Sequence, residues 1–288
     1  MKIVGLMLVR NEQWVLGASL RAALAWCDEV VVFFDRCIDR TMGIAHEVQK
    51  ESSNRVVLAA SDHRGHQAWD EMDMRQKMLE VGRAVGGTHF ALIDADEILT
   101  YNYLSIARYW FEQLQPGQLL DVPMIPVWGD LDNYRNDKSV WCSAWLTLGV
   151  ADQAGITWKP AEDGYQHHNR APHGAAGRLR FGDRRRGGVM HLQFAHPLRL
   201  LAKHVLYRMV DHLRWPRRES IAKLNWKYDQ ALEQPEPGDL ISVPQEWWGR
   251  WSKDRIDIKD TPYQEAEIHR LLQEHGREKF EGLDLKGY

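Results

Sequence analysis

The triplet Asp94-Ala95-Asp96 is the feature of this 288-residue chain best suited to chemistry. It follows the apolar run 90–93, so two carboxylates one residue apart stand at the end of a buried strand and can point into one crevice. Oxygen-only donors of this kind suit Mg2+ or Mn2+, ions that keep coordination positions open for phosphate oxygens. The competing reading is a solvated strand-end turn whose aspartate caps the next helix. Charge placement is the second chemical signal. Residues 178–227 hold thirteen Arg/Lys against three Asp/Glu, although the whole chain carries only −3. Such asymmetry points to an anionic ligand near that segment. Arg184, Arg185, Arg186 and Lys203 are its candidate phosphate contacts, each weighed against a solvated face. Thirteen tryptophans are a third signal. Most are expected to pack, and some can serve as flat platforms for sugars or bases.

The elements that must position these groups alternate between strand and helix. Residues 2–9 form a near-continuous apolar run, as in a parallel strand covered on both faces. Leu16, Leu20, Ala23 and Leu24 predict a helix over 13–25, followed by a strand over 30–34 that ends at Asp35. A helix over 42–51 and a strand over 55–60 come next. Met74, Met78, Val81 and Val85 recur at helical spacing until Gly86-Gly87 stops them, and the strand 90–93 follows. This order predicts an open, mostly parallel sheet with right-handed crossovers. Ligands of such sheets bind outside the carboxyl ends of the strands. Those ends read Arg10-Asn11-Glu12, Asp35, Asp62-His63-Arg64 and Asp94-Ala95-Asp96, all polar.

Beyond residue 96 the sequence predicts strands over 119–127 and 143–150, antiparallel or mixed. Two prolines and six glycines in 160–188 predict a long loop of the lid or binding type. A short strand over 189–194 precedes helical signals: a stripe of Leu198, Leu201, Val205 and Met209, then a break at Pro235 and Pro237. The closing helix is read with Thr261 as N-cap, Pro262 in the first turn, Gln264 completing a capping box and Gly276 as terminator. The expected division is a site-bearing α/β domain over 1–195 and a helical region over 196–288.

Several classes are disfavoured. The apolar runs are too short to cross a bilayer, and Arg10-Asn11-Glu12 follows the first one with no small-residue cleavage site. Cys27, Cys37 and Cys142 are an odd count without metal-ligand spacing, which suits a reducing, cytoplasmic setting. No Walker loop or dinucleotide-binding glycine pattern follows the first strand, which argues against kinases and NAD enzymes. A nucleotidyltransferase would show a Gly-rich, Arg-containing loop there. His167, His168, His173, His191 and His196 lack a nearby cysteine or a His-x-x-x-His pair on one helix, so a structural zinc site is not expected.

Residues 2–12 (KIVGLMLVRNE), 28–41 (DEVVVFFDRCIDRT) and 89–98 (HFALIDADEI) together resemble a family 2-type glycosyltransferase of the GT-A fold, as found in bacteria and phages. Members of that family have a first strand ending in Asn-Glu, a second ending in an Asp-rich turn with Asp-x-Thr, and a strand-end Asp-x-Asp. The likeness covers about the first hundred residues, with order and spacing both matching. Residues 191–194 (HLQF), followed by a basic helix, resemble the later part of some members. One departure is the turn Asp35-Arg36-Cys37-Ile38-Asp39, where members usually carry a second aspartate beside the first.

The resemblance implies a GT-A α/β fold with a Rossmann-like sheet flanked by helices, a helical C-terminal extension, and transfer of a sugar from a nucleotide-diphosphate donor. Arg10, Asn11 and Glu12 would line the nucleotide. Asp35 would accept from an imide N–H of the base, favouring a UDP-sugar. Arg75 could reach a phosphate or the aspartates, or simply pair with Glu71 four residues earlier. Asp94 would contact ribose or metal, Asp96 would bind Mn2+ or Mg2+, and His191 would be a further metal ligand. The leaving diphosphate needs cationic stabilisation, and the attacking hydroxyl needs a base. Asp163, with Glu162 beside it, occupies the region from which inverting members present that base. The acceptor stays open among glycan, lipid-linked, small-molecule and hydroxymethylated DNA-base hydroxyls. A non-catalytic nucleic-acid- or glycan-binding protein on the same fold is the alternative.

Overall fold

A computed structural model describes residues 1–62, 70–159 and 170–288. Glu162, Asp163, His167 and His168 lie outside the described residues, as do His63 and Arg64. The described chain divides into two units, the first comprising 1–126, 138–192 and 243–257, the second 127–137, 193–242 and 258–288.

The first unit opens with β1 (Ile3–Val9), α1 (Leu16–Leu24), β2 (Glu29–Phe34), α2 (Thr41–Glu51), β3 (Val56–Ala60), α3 (Glu71–Ala84) and β4 (His89–Leu92). Strands β1 to β4 pair in parallel in the order β3-β2-β1-β4. β1 is buried at all seven positions because the sheet is covered on both faces. Ile3, Met7 and Val9 pack with Leu16 and Leu20 of α1, whereas Val4, Leu6 and Leu8 pack with Met74 and Met78 of α3. Each such aliphatic side chain contributes roughly 1.5–3 kcal/mol on burial. The approach of α3 is close: a Cβ on Gly82 would stand 2.9 Å from both Leu6 and Phe90.

The same unit continues with β5 (Glu97–Leu99), α4 (Leu104–Glu112) and β6 (Gln118–Pro126). In the second unit, β7 (Asn133–Arg135) follows; α5 (Val140–Ser143), β8 (Trp145–Ala151), β9 (Gly177–Arg180) and β10 (Val189–His191) return to the first. β8 lies antiparallel between β4 and β6, β10 runs parallel to β6, and β5 closes that edge antiparallel to β10. The nine-stranded result is a mixed α/β sheet flanked by helices. Buried Trp247 and Trp248 of α8 (Gln245–Trp248) and the Trp251 Nε1 bond to the Leu99 carbonyl, 3.1 Å, attach the returning segment 243–257. Packing therefore accounts for much of the tryptophan content.

The second unit holds α6 (Pro197–Arg214), α7 (Ile221–Asp229), β11 (Leu240–Ser242) and α9 (Tyr263–His275). β11 pairs antiparallel with β7. Val205, Met209, Leu224, Ile268 and Phe280 form its core. His196 caps α6, its Nδ1 accepting from the Arg199 amide at 3.2 Å while Nε2 faces the Asp260 carbonyl at 2.8 Å. That second contact requires the proton on Nε2.

Four expectations need correction. The segment 160–188 is not loop throughout, because β9 runs parallel to β6 within it. Its alternation of Leu179 and Phe181 with Arg178 and Arg180 is a strand pattern masked by basic composition. The strand predicted over 189–194 stops at His191, and residues 192–195 form a 3-10 turn. Leu198 is exposed, and Leu200 takes a buried place on α6 instead. α9 starts at Tyr263 with no side-chain cap, so the Thr261/Gln264 capping box does not form; Gln264 is buried. Gly276 does end the helix, at φ +77°. No helix among the described residues is long and apolar enough to cross a membrane.

Candidate functional site

The carboxyl ends of β2, β1 and β4 are neighbours in the sheet, and each carries polar groups held in a defined arrangement. After β1, Asn11 adopts φ +54°, a left-handed conformation that asparagine tolerates better than most residues. Its Oδ1 accepts from the Ile38 amide at 2.8 Å. The Glu12 amide donates to Thr41 Oγ1 (2.8 Å) and the Gln13 amide to Asp39 Oδ2 (3.2 Å), so the turns after β1 and β2 are stitched together. Glu12 Oε2 accepts from Trp14 Nε1 at 2.7 Å.

Asp35, at the end of β2, is fully buried. Ser61 Oγ donates to its Oδ1 at 2.7 Å, Arg36 Nη2 to its Oδ2 at 2.8 Å, and Arg10 Nη1 stands 3.7 Å from Oδ2. Burial pushes its pKa up, but the hydrogen bonds from Arg36 and Ser61 and the charges of Arg36 and Arg10 outweigh that and hold it below the usual carboxylate value. Cys37, in the same turn, has its thiol pushed up to about 12, mainly by burial and then by Asp39, Glu12 and Asp35.

The end of β4 is built differently. Asp94 receives Arg170 Nη2 at 2.6 Å and Arg75 Nη2 at 3.1 Å. Arg75 Nε also donates to Glu71 Oε1 at 2.7 Å, so Arg75 reaches Asp94 and pairs with Glu71 at once. Arg170 Nη2 further reaches Glu97 Oε1 at 2.7 Å, and Glu97 Oε2 accepts the Asp94 amide at 3.0 Å. Enclosure opposes ionisation of Asp94, yet Arg170 and Arg75 prevail and lower its pKa well below the ordinary range. Glu97 moves the other way: burial, helped by the charge of Asp94, raises it. The Nη1 atoms of Arg75 and Arg170 are both buried without a hydrogen-bond partner among the described residues. Buried, unmatched guanidinium donors are uncommon and costly, and phosphate oxygens match their geometry.

Asp96 faces His191, with Oδ1 and Nε2 3.6 Å apart. Strand pairing brings them together: β5 and β10 run antiparallel with His191 opposite Glu97, and the Leu192 amide donates to the Asp96 carbonyl at 2.8 Å. His191 Nδ1 lies 3.4 Å from Met124 Sδ. For a divalent cation the residues present offer two donors, Asp96 and His191, because Asp94 is engaged by two guanidinium groups. No cluster of three or more His, Cys, Asp or Glu fit to hold a metal occurs among the described residues. Two protein donors still fit Mg2+ or Mn2+, which are commonly held by one or two side chains plus phosphate oxygens and water.

Arg184, Arg185 and Arg186 lie on the loop between β9 and β10, where Arg184 Nη2 donates to the Ala144 carbonyl (3.4 Å) and Arg185 pairs with Asp183 (3.1 Å). Lys203 belongs to the second unit and donates to Gln193 Oε1 at 2.9 Å. Sequence reasoning missed Arg170 and Glu97. Glu97 was visible as the acid directly after Asp96, whereas Arg170 carried no local signal. Arg170 is placed through buried Trp158, whose Nε1 donates to the Arg170 carbonyl (3.2 Å) and whose amide donates to Gln76 Oε1 (2.9 Å).

No protein-family model matches the chain, and no curated protein matches its sequence. Among solved structures it is similar to residues 1-349 of S. aureus TarS, at 14% identity and TM-score 0.48, over 81% of this chain and 71% of that one. A longer S. aureus TarS structure gives TM-score 0.48 at 15% identity, over 97% of this chain and 53% of that chain. Glucosyl-3-phosphoglycerate synthase from Mycobacterium tuberculosis, solved with Mn2+, UDP and phosphoglyceric acid, gives TM-score 0.30 at 16% identity, over 43% of each chain. These are remote likenesses.

Proposed function

We propose that the chain is a glycosyltransferase that moves a sugar from a nucleotide-diphosphate donor, UDP-sugar favoured, to an acceptor hydroxyl with inversion. The observation that carries this is the end of β4, where two buried guanidinium groups with unmatched Nη1 donors flank Asp94 beside the Asp96–His191 pair. In the transfer, the acceptor oxygen bonds to the anomeric carbon, the bond from that carbon to the diphosphate oxygen breaks, and the hydroxyl proton passes to a base. Arg75 and Arg170 would meet the negative charge that develops on the departing diphosphate. Asp96 and His191 would hold Mn2+ or Mg2+, which when bound supplies further charge stabilisation to the diphosphate oxygens. Asn11 and Glu12 would shape the nucleotide wall with Arg10, and Asp35 would set the preference for a uracil-type base. Asp163, with Glu162 as its neighbour, is proposed as the base.

The test is release of UDP from a panel of UDP-, GDP- and dTDP-sugars, with and without Mn2+. Wild type should turn over one UDP-sugar, and Asp96→Ala should lower the rate by about 100-fold or more, the size expected when a transition-state charge contact is lost. Equal turnover in Asp96→Ala would end the assignment. A folded wild type that binds none of the nucleotides would favour the non-catalytic binding reading.

A further inference from the structure

A cavity of about 460 Å3 in the first unit is lined by Pro123, Ser143, Trp145, Asp183, Arg184 and Arg185. Its setting is strongly basic: residues 177–188 carry five arginines and one aspartate. Trp145 is 38% exposed, and the guanidinium of Arg180 lies over its ring at 5.1 Å. Beside it Arg178 is anchored by fully buried Asp121, Nη1 to Oδ2 at 2.5 Å, while Thr147 Oγ1 donates to the other Asp121 oxygen at 2.9 Å. Asp121 thus fixes Arg178, and Arg180, 3.9 Å from the same carboxylate, keeps an exposed guanidinium.

The position of this group in the sheet gives it meaning. Leu120, Leu146, Leu148, Leu179 and Phe181 fall in the core shared with α1 and α4. Side chains alternate across a strand, so Asp121, Thr147, Arg178 and Arg180 occupy the opposite face. That is the face covered by α3, from which Arg75 reaches Asp94. β8 is the direct neighbour of β4, with β6 and then β9 beyond it. A tryptophan face, the Arg180 guanidinium over it and a basic cavity lie a few strand spacings from the Asp94 network, at ~4.8 Å per strand.

We propose that this cavity binds an anionic acceptor, a sugar or polyol that carries a phosphate, with the phosphate held by Arg184, which lines the cavity, and by Arg180, which lies over the lining residue Trp145, and the carbon skeleton lying against the indole. Guanidinium groups match phosphate oxygens, and an indole face matches the C–H face of a sugar. The role as acceptor site rests on the transferase reading; the anion site does not.

Calorimetric titration of the full chain at low salt tests this, with glucose 6-phosphate, glucose, inorganic phosphate and a 12-base-pair DNA duplex as probes and UDP–Mn2+ titrated in parallel. Glucose 6-phosphate should bind at least tenfold tighter than glucose and tighter than inorganic phosphate. Arg180→Ala and Trp145→Ala should each weaken it fivefold or more, Arg180→Lys should keep most of the affinity, and UDP–Mn2+ affinity should be unchanged in all three. No saturable binding of glucose 6-phosphate, binding indifferent to both alanine variants, or competition by UDP for the same site would overturn the proposal. Duplex binding abolished by Arg180→Ala, without glucose 6-phosphate binding, would assign the cavity to nucleic acid instead. Failure of wild type to bind UDP–Mn2+ would sink the transferase reading and leave the anion site to stand or fall on its own titration.

Discussion

The ends of β2 and β4 pose the same problem and solve it differently. Each presents an aspartate approached by two arginines, Asp35 by Arg36 and Arg10, Asp94 by Arg170 and Arg75. At β2 the carboxylate is fully buried, and Ser61 adds a further donor to the two guanidinium contacts. At β4 the carboxylate keeps about a third of its side-chain surface exposed at 35%, while the arginines retain unmatched buried donors. The first arrangement encloses its carboxylate completely; the second leaves part of its carboxylate open. How far the carboxylate is enclosed, more than which residue types are present, separates the two ends.

The most severe way to probe this difference is Arg170→Ala. It removes the guanidinium shared by Asp94 and Glu97, leaving Asp94 with Arg75 alone, so chemical denaturation should show a loss of about 3 kcal/mol, the size seen when one partner of a buried ion pair is removed. UDP affinity should fall as well. Arg36→Ala should cost less, on the order of 1–2 kcal/mol, since Asp35 keeps Ser61 and Arg10, and UDP affinity should fall less than in Arg170→Ala. If Arg36→Ala removed UDP binding and Arg170→Ala did not, the two ends would have been assigned the wrong way round.

Acid titration sharpens the comparison at smaller cost. Asp35 and Asp94 both have lowered pKa values, so their stabilisation is complete above the unfolded carboxylate value and fades as pH falls below about 4 toward their native values. Glu97, raised by burial and then by Asp94, works in reverse and favours the folded state more as pH falls through its native value. Asp94→Asn should therefore flatten the acid limb of the stability curve relative to wild type, and Glu97→Gln should steepen it. The smallest expected effect concerns Cys37. With its thiol pushed up to about 12, alkylation by iodoacetamide at pH 8, followed by mass spectrometry, should be far slower than in urea.

The half of the sheet around β1 was legible because each strand there is a short apolar run with a polar residue at its end, a pattern fixed by burial on both faces. Asp35, Asp94, Asp96 and the Asn11 turn could be located from that pattern alone. β9 was hidden because its outward residues are arginines whose partner, Asp121, is nearly sixty positions away in the chain. Arg170 was hidden for a similar reason: Trp158 and Gln76 place it, and neither lies in its local sequence. His191 could be nominated only through a family likeness, since its nearness to Asp96 comes from the antiparallel pairing of β5 with β10. Local periodicity reports burial well, and it is silent about long-range partners of charged side chains.

The central claim is that the end of β4 receives a nucleotide diphosphate with a divalent cation. Calorimetric titration of UDP into the protein, with and without Mn2+, on wild type, Asp96→Ala and His191→Ala tests it most directly. The account predicts Mn2+-dependent UDP binding in wild type that is weakened at least tenfold in both variants, with thermal midpoints close to wild type. UDP binding that ignores both Mn2+ and these two substitutions would contradict it.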